Sequence, residues 1–258
     1  MVYEDEMKRL EQAEKTRKPI DPISQSFSGD LPLEGAYAIC EGNIQRRLDS
    51  GEKIVGFKVG LTNIAAREKM GMPDSFYGYL LDSMVLESGV RLKREGLIEP
   101  RLESEICFKL KSDLQGKDLT VDDVMIATEG ICASFEICDA RIGNWACAYP
   151  DFIADNGMSC RVALGGTWHP AADIDLPNER AVLTCNGEKI AEGAGELSMG
   201  HPAKVVAWLA GKLADRGKGL KAGQIVMTGT LTGMTPMEKG AEYAAAFSTL
   251  GEVTLSVV

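Results

Sequence analysis

The chain has 258 residues, of which 45% are hydrophobic and 26% charged, an ordinary balance for one large globular domain with a sizeable core. Its formal net charge of −10 argues against nucleic acid or an anionic membrane as a partner, because either would repel most of the surface. A substrate that is itself an anion would therefore need a local cation in its site.

Helices dominate the first part of the chain. Residues 3–18 predict a charged, exposed helix that ends at Pro19, and residues 33–49 predict a second helix from their apolar spacing. The stretch "KIVGFKVGLT" then predicts a strand, and "NIAAREKMGM" predicts a short helix capped by Asn63.

Strand signals dominate the rest of the chain. Asn186-Gly187 predicts a β-hairpin, "EYAAAFSTLGEVTLSVV" predicts a terminal strand pair, and between them Pro202 begins an amphipathic helix. Because strands and helices do not alternate regularly, the pattern favours a mixed, strand-rich α+β fold over a doubly wound sheet. We expect an N-terminal helical segment over 1–52 and a β-rich core over 53–258, joined as one continuous domain.

Cysteine usage and the N-terminus predict the compartment. The seven cysteines contain no C-x-x-C pair, which is typical of reduced thiols in a cytoplasmic protein. Cys107, Cys132, Cys138 and Cys185 lie in apolar runs and are predicted to be buried. The charged N-terminus has no apolar segment of a signal peptide, and no apolar run is long enough to span a membrane. We expect a soluble, cytoplasmic protein.

Two acids stand in the strand-like stretch "LESEICFKL". Glu103 and Glu105 share one strand face, with Cα atoms about 6.5–7 Å apart. Glu136 is a third acid in an apolar run, and three carboxylates with water suit Mg²⁺ or Mn²⁺. The residues alone leave two alternatives, since the acids could face solvent or pair with Arg101 and Arg141.

Lys58 is a single cation in the apolar run "VGFKVGLT". A lysine in such a run either reaches the surface with its charged end or has a partner or a task. Beside a metal site it would hold an anionic substrate or move a proton, because burial and a nearby metal both lower its pKa.

Several familiar chemistries are disfavoured. The chain has no G-x-S-x-G motif and only two histidines, His169 and His201, which argues against a Ser-His-Asp hydrolase. The stretch "GKLADRGKG" has the wrong spacing for a phosphate loop, and neither histidines nor cysteines cluster as zinc ligands do. His201, in "GHP", is predicted to be a structural residue at a helix start.

An ordered set of motifs resembles one known family. The set consists of "GFKVGLT", "EPRLESEI", "SFEICDARI", "IADN", "GAGELSMGHPAKVVAWLA" and "AGQIVMTG". It is similar to the 2-keto-4-pentenoate hydratase / 2-oxohex-3-enedioate decarboxylase branch of the fumarylacetoacetate hydrolase superfamily, from about Pro32 to the C-terminus. Each motif is weak alone, but their order is specific.

The resemblance implies a fold, a cofactor and site residues. It implies a mixed β-roll core with N-terminal helices, and a homo-oligomer. It also implies Mg²⁺ or Mn²⁺ on Glu103, Glu105 and Glu136, with Lys58 as the active-site lysine. Further residues that it implies in substrate binding are Tyr77, Leu80, Asn156, Ser159 and Thr228.

The implied substrates are small anionic 2-oxo acids of aromatic meta-cleavage catabolism. A divalent ion can chelate the C1 carboxylate and the C2 oxygen of such an acid and stabilise a dienolate. Hydration then adds water at C4, whereas decarboxylation of a longer diacid releases CO₂. A complex with a related decarboxylase or hydratase, or with the downstream aldolase, is a further implied partner.

The sequence departs from the branch where the two reactions differ. Hydratases of the branch usually have Asp, an aromatic residue and Gly in succession, where this chain has Phe76-Tyr77-Gly78. The apolar Phe76 favours decarboxylation, whereas Trp145 follows the hydratase pattern. Asp74 is the candidate base that orients water, and we rank hydration of 2-hydroxypenta-2,4-dienoate-type acids narrowly above decarboxylation.

Two other activities remain open at this point. An acylpyruvate C–C hydrolase would belong to the same superfamily, although the shortage of histidines counts against it. A metal-binding partner subunit without catalysis is the other alternative, because the expected Asp before Tyr77 is missing.

Overall fold

The structure is a computed structural model and describes residues 2–145 and 147–258. Within these residues the α-helices are α1 (Glu4–Thr16), α2 (Leu33–Asp49), α3 (Ile64–Lys69), α4 (Val121–Ala127), α5 (Tyr149–Ala154) and α6 (Pro202–Asp215). None of these helices is long and apolar enough to cross a membrane.

The described strands form two sheets. In chain order they are β1 (Ile54–Gly60), β2 (Phe76–Leu81), β3 (Val85–Glu87), β4 (Val90–Leu92), β5 (Arg101–Leu110), β6 (Thr128–Cys138), β7 (Ser159–Leu164), β8 (Arg180–Cys185), β9 (Glu188–Ala194), β10 (Ile225–Met227), β11 (Thr235–Pro236), β12 (Glu242–Phe247) and β13 (Gly251–Val257). The larger sheet has the order β2-β1-β10-β5-β6-β7-β3, with β11 paired to β5, and the smaller has the order β4-β13-β12-β8-β9.

The larger sheet is mixed, because β1 and β10 run parallel while β5 is antiparallel to β10 and to β6. The smaller sheet packs against it where β13 contacts β6 and β7. Apolar side chains of both sheets and of α6 form one large core cluster. The predicted α+β class, with N-terminal helices before a sheet-rich core, is confirmed.

A second core cluster joins the N-terminal helices to the sheet. It contains Met7 and Leu10 of α1, Ile39 of α2, and also Phe76 and Ile153 from the later part of the chain. The cluster is therefore built from both predicted segments, and the boundary between 1–52 and 53–258 stays a prediction.

Local signals in the sequence place several elements correctly. Asn63 caps α3 by accepting from the Ala66 N–H at 3.0 Å, and the His201 ring accepts from Ala203 at the start of α6. In the hairpin after β8, Asn186 and Gly187 have φ of 52° and 82°, the positive values that such a turn requires.

One prediction about the core is wrong. Cys107, Cys132 and Cys138 are buried as expected, but Cys185 is only half-buried. It ends β8 next to the hairpin turn, where the following residues Asn186 and Gly187 are exposed.

Candidate metal centre and active site

Strand pairing brings the three acids together. Glu103 of β5 lies directly opposite Glu136 of β6 in an antiparallel ladder, so the two side chains point to the same face. Glu105 follows Glu103 by two residues and takes that face as well. The sequence prediction that these carboxylates share a face agrees with the register.

Lys58 reaches the same face through the neighbouring strands. On β1 it is paired with Met227 of β10, and Met227 is paired with Cys107 of β5. Cys107 and Glu105 are two residues apart, so Lys58 and the acids stand on one side of the sheet. Its Nζ lies 3.3 Å from Glu136 Oε2 and donates to the Gly157 carbonyl at 3.0 Å.

All four charged groups are buried. The exposed fractions are 7% for Glu103, 0% for Glu105 and Glu136, and 2% for Lys58. The alternatives of solvated acids and of a lysine reaching the surface are therefore wrong.

The two arginines considered as partners for the acids are engaged elsewhere. Arg141 pairs with Asp155, and the Arg101 guanidinium lies 4.4 Å from the centre of the Trp145 ring.

The pKa shifts of these groups reflect their burial and the presence of three acids around one lysine. Burial, followed by repulsion from Glu136, raises the pKa of Glu103 to about 7, although Lys58 opposes the rise. Burial also raises the pKa of Glu105. Burial lowers the pKa of Lys58, but the surrounding acids, Glu136 first, raise it more, so the net shift is upward.

The oxygen atoms of the acids suit a divalent cation. Glu105 Oε2 accepts the Gly229 N–H at 2.8 Å, whereas Glu105 Oε1 and both Glu136 oxygens accept no hydrogen bond from any described residue. Buried carboxylate oxygens without donors are costly unless a cation faces them. Three such acids are hard oxygen ligands, so the residues present fit Mg²⁺ or Mn²⁺.

Cys138 is a neighbour that the sequence reasoning missed. Its Sγ and carboxylate oxygens of Glu103 and Glu136 lie within 4.8 Å of one another, and the thiol donates to Glu103 Oε2 at 3.5 Å. The i, i+2 spacing from Glu136 on a strand was the available signal. Burial raises the pKa of this thiol, and a protonated thiol is a poor ligand for the hard cations that the acids favour.

A tight turn and an aromatic ring cover Lys58. Asn156, Gly157 and Met158 are three successive residues with positive φ, of 51°, 62° and 59°. A Cβ on Gly157 would lie 3.0 Å from the Phe76 ring and 3.1 Å from the Lys58 side chain, so glycine lets the turn pack closely. The Phe76 ring centre is 5.2 Å from Lys58 Nζ, and the ring stacks on Phe152.

Leu80 is the one predicted substrate contact that shares the acid face. It pairs with Gly56, two residues before Lys58, and is fully buried. Tyr77 pairs with Val59 and so points to the opposite face, where its ring stacks on Tyr37 at 4.9 Å. The structure does not bring Tyr77 to the acids.

Two other predicted substrate contacts hold the backbone through their side chains. The Asn156 amide bonds both the N–H and the carbonyl of Tyr79, at 2.7 and 3.0 Å. The Thr228 hydroxyl donates to the Ile106 carbonyl at 2.8 Å. The Ser159 carbonyl accepts from Arg141, whereas the buried Ser159 hydroxyl makes no hydrogen bond to a described residue.

Asp74 lies apart from the acids. Its carboxylate pairs with Lys212 at 2.8 Å and accepts the Ser75 N–H at 2.8 Å, and its side chain is 36% exposed. It borders a cavity together with Tyr77, which points away from Lys58. No hydrogen bond or ion pair among the described residues joins Asp74 to Lys58 or to the three acids.

The mixed sheet and its buried carboxylates define an α+β protein built around a divalent-metal site. The family model described as fumarylacetoacetate (FAA) hydrolase C-terminal matches residues 57–258, and the chain belongs to this family. The resemblance given by the motifs is thereby confirmed.

Individual relatives cover nearly the whole chain. It is 35% identical to 2-hydroxyhexa-2,4-dienoate hydratase of Comamonas testosteroni, over 98% of this chain and 96% of the relative. It is 34% identical to 4-oxalocrotonate decarboxylase of Pseudomonas sp. (strain CF600), over 95% and 92%. The structure of 4-oxalocrotonate decarboxylase from Pseudomonas putida G7, complexed with magnesium and adipate, superposes with a TM-score of 0.93 at 31% identity, over 100% of this chain and 99% of that one.

Proposed function

We propose that the chain is a divalent-metal-dependent lyase that hydrates acids of the 2-hydroxypenta-2,4-dienoate type to 4-hydroxy-2-oxo acids. The observation that carries this proposal is the cluster of three buried acids and one lysine, whose carboxylate oxygens are partly without donors. Relatives named as hydratases support the reaction type.

In the proposed mechanism Glu103, Glu105 and Glu136 hold Mg²⁺ or Mn²⁺. When bound, the ion supplies Lewis-acid stabilisation for the charge that develops on the C2 oxygen of the substrate. The three side chains are held by two paired strands, so their spacing is fixed before the ion arrives. Gly229 positions Glu105 by donating its N–H to Oε2.

Lys58 has two tasks in this scheme. Its ammonium is the local cation that an anionic substrate needs in a protein of net charge −10. The ammonium, 3.3 Å from Glu136, can also give a proton to the chain of the substrate as water adds at C4, and the neutral amine then takes the proton that the water loses, which restores the ammonium. Leu80 and Phe76 line the same face and exclude bulk water from the reacting carbons.

Asp74 is left outside this scheme. It is paired with Lys212 and partly exposed, which supports a role at the surface rather than as the base that orients water. Tyr77, Asn156 and Thr228 are likewise proposed to hold the scaffold, because their polar atoms bond the backbone or point away from Lys58.

Decarboxylation of 2-oxohex-3-enedioate is the second candidate. The specific observation in its favour is Phe76, which stands over Lys58 where a water-orienting carboxylate would suit a hydratase. An apolar wall disfavours a charged carboxylate relative to CO₂. The fold neighbour with magnesium and adipate is itself a decarboxylase.

Proton NMR of the products separates these activities. The protein with Mg²⁺ is incubated with 2-hydroxypenta-2,4-dienoate, with 2-oxohex-3-enedioate and with acetylpyruvate. A 4-hydroxy-2-oxo acid from the first substrate supports hydration, and loss of CO₂ from the second supports decarboxylation. Cleavage of acetylpyruvate would indicate a C–C hydrolase, and three unchanged spectra would indicate a partner subunit without catalysis.

The compartment and the assembly of the protein are also proposals. We propose a cytoplasmic homo-oligomer that can associate with a related decarboxylase or hydratase or with the downstream aldolase. All seven cysteines, each a described residue, are free thiols, which supports a reducing compartment. Light scattering coupled to gel filtration tests the assembly, and a monomeric mass would contradict it.

A further inference from the structure

The Cys138 thiol belongs to the most compact group of metal-ligating atoms at the acid face. Among the described residues, the ligand atoms of Glu103, Glu136 and Cys138 all lie within 4.8 Å of one another, and Glu105 is not part of that group. Cys138 follows Glu136 by two residues on β6, and Glu136 is paired with Glu103, so the three side chains share one face. Strand pairing thus assembles a ligand set that no local spacing of cysteines and histidines reveals.

The distance between the thiol and a carboxylate fits two ligands of one ion. Cys138 Sγ lies 3.5 Å from Glu103 Oε2. A sulfur at about 2.3 Å and an oxygen at about 2.0–2.2 Å from a tetrahedral ion are themselves about 3.5–3.7 Å apart. Glu136 supplies the third ligand, since both of its oxygens are buried and accept no hydrogen bond from a described residue. An ion can therefore bind these three side chains without a change in strand register.

The chemistry of the three ligands differs from that of the three acids. A thiolate is a soft ligand that suits Zn²⁺ or Co²⁺ better than Mg²⁺, and three protein ligands with water in the fourth position are a common arrangement for such ions. We propose that Glu103, Glu136 and Cys138 give this centre a second binding mode, which takes a thiophilic divalent ion in place of Mg²⁺. The thiol proton passes to water as the sulfur–metal bond forms.

The two binding modes share two ligands and differ in the third. Glu103 and Glu136 serve both, so a thiophilic ion and Mg²⁺ exclude each other. Glu105, whose Oε2 accepts the Gly229 N–H, serves the hard ion, whereas Cys138 serves the thiophilic one. This inference rests on the proposed function for the two shared carboxylates and adds to it a residue that sets which metal the centre accepts.

Absorption spectroscopy with Co²⁺ tests the proposal on the full chain without other metals. A thiolate bound to Co²⁺ gives a near-ultraviolet charge-transfer band that carboxylate ligands do not give, and we expect this band to saturate on titration. Cys138→Ser should abolish the band, because it removes the sulfur and keeps a hydroxyl that can donate to Glu103. Cys132→Ser is the matched control and should keep the band, since Cys132 is a buried thiol on the same face of β6.

Calorimetric titrations with Co²⁺ and Mn²⁺ separate the two modes. Cys138→Ser should weaken Co²⁺ binding by about tenfold or more and leave Mn²⁺ binding unchanged, which also shows that the variant is folded. Glu105→Gln should do the reverse and weaken Mn²⁺ binding more than Co²⁺ binding.

The outcomes distinguish this inference from the proposed function. Mn²⁺ binding by the unchanged protein without a Co²⁺ charge-transfer band would overturn this inference alone. A band that persists in Cys138→Ser, or an equal loss of Co²⁺ and Mn²⁺ affinity in that variant, would overturn it as well. An unchanged protein that binds neither ion would contradict both this inference and the metal site of the proposed function.

Discussion

Two clusters of buried charged groups in this protein differ in how completely their polar atoms are paired. In the first, the Arg141 guanidinium donates to Asp155 Oδ1 at 2.5 Å and to the carbonyls of Asp139 and Ser159 at 2.9 and 3.0 Å. The other Asp155 oxygen accepts the Arg141 N–H at 2.9 Å. Every charge in this cluster meets its opposite or a backbone dipole, and its effect is to fix the chain before β7.

The second cluster is left incomplete. Glu103, Glu105 and Glu136 share a single buried cation, Lys58, and three of their fully buried carboxylate oxygens accept no hydrogen bond from a described residue. A buried group that is satisfied stabilises a conformation, whereas one that is not satisfied is ready for an external ion. The difference distinguishes a structural cluster from a binding site more clearly than burial or charge does.

The largest effect should follow from breaking the complete cluster. Arg141→Met leaves Asp155 buried without its cation, so the free energy of unfolding should fall by about 3–5 kcal/mol. Urea denaturation measures the change, with Arg91→Met at an exposed position of β4 as the control. A fall in the free energy of unfolding below about 1 kcal/mol would show that this cluster does not fix the chain before β7.

Removing the cation of the incomplete cluster should affect turnover. Lys58→Met should fold with Mg²⁺ bound but turn over at least about a hundredfold more slowly, as expected for a lost acid–base group. Lys109→Met is the matched control, since Lys109 is a half-exposed lysine of the same sheet. Near-normal turnover together with much earlier melting would indicate a structural lysine.

Removing one acid should weaken metal binding. Glu136→Gln, Glu105→Gln or Glu103→Gln should each lower Mn²⁺ affinity by about tenfold or more, because each removes one charged ligand among few. Glu129→Gln is the control, as Glu129 is exposed on the same strand as Glu136. Unchanged Mn²⁺ affinity in a calorimetric titration of Glu105→Gln would contradict the assignment of Glu105 as a ligand.

Metal binding should also depend on pH. The pKa of Glu103 is raised to about 7 and that of Glu105 is raised as well, so at lower pH these acids hold protons that a cation must displace. Mn²⁺ affinity should therefore rise with pH through about 7. Titrations in two buffers of different ionisation heat count the released protons, and release of none would contradict the prediction.

The smallest effect should come from the acid outside both clusters. Asp74→Asn breaks a partly exposed ion pair with Lys212, so the hydration rate should change by less than about threefold. Complete loss of hydration, with tautomerisation of the dienol retained, would restore the role that the sequence predicted for Asp74. The rates are followed by the absorbance of the dienol.

Strand periodicity accounts for what could be predicted about the site. The i, i+2 spacing of Glu103 and Glu105 fixes their shared face whatever the rest of the chain does. Glu136 and Lys58 stood out as charged residues in apolar runs, but only the family resemblance joined them to this pair, because their positions depend on the order of β6, β5, β10 and β1 in the sheet. No short stretch of sequence encodes the order of the strands in the sheet.

The rest of the site depends on partners that are chosen by tertiary structure. Tyr77 follows Phe76 directly, so only one of them can face Lys58, and the sequence does not say which. The binding partner of Arg141 is 14 residues away, and the Asn156 amide is used by the edge of β2. Such choices depend on how the turn between α5 and β7 folds back on the sheet.

That turn holds strained backbone next to Lys58. Asn156 and Met158 have a left-handed conformation that costs about 1–2 kcal/mol per residue outside glycine, on either side of the Gly157 carbonyl that accepts from Lys58 Nζ. The position of the Lys58 ammonium is therefore fixed in part by a backbone segment that contains none of the three acids.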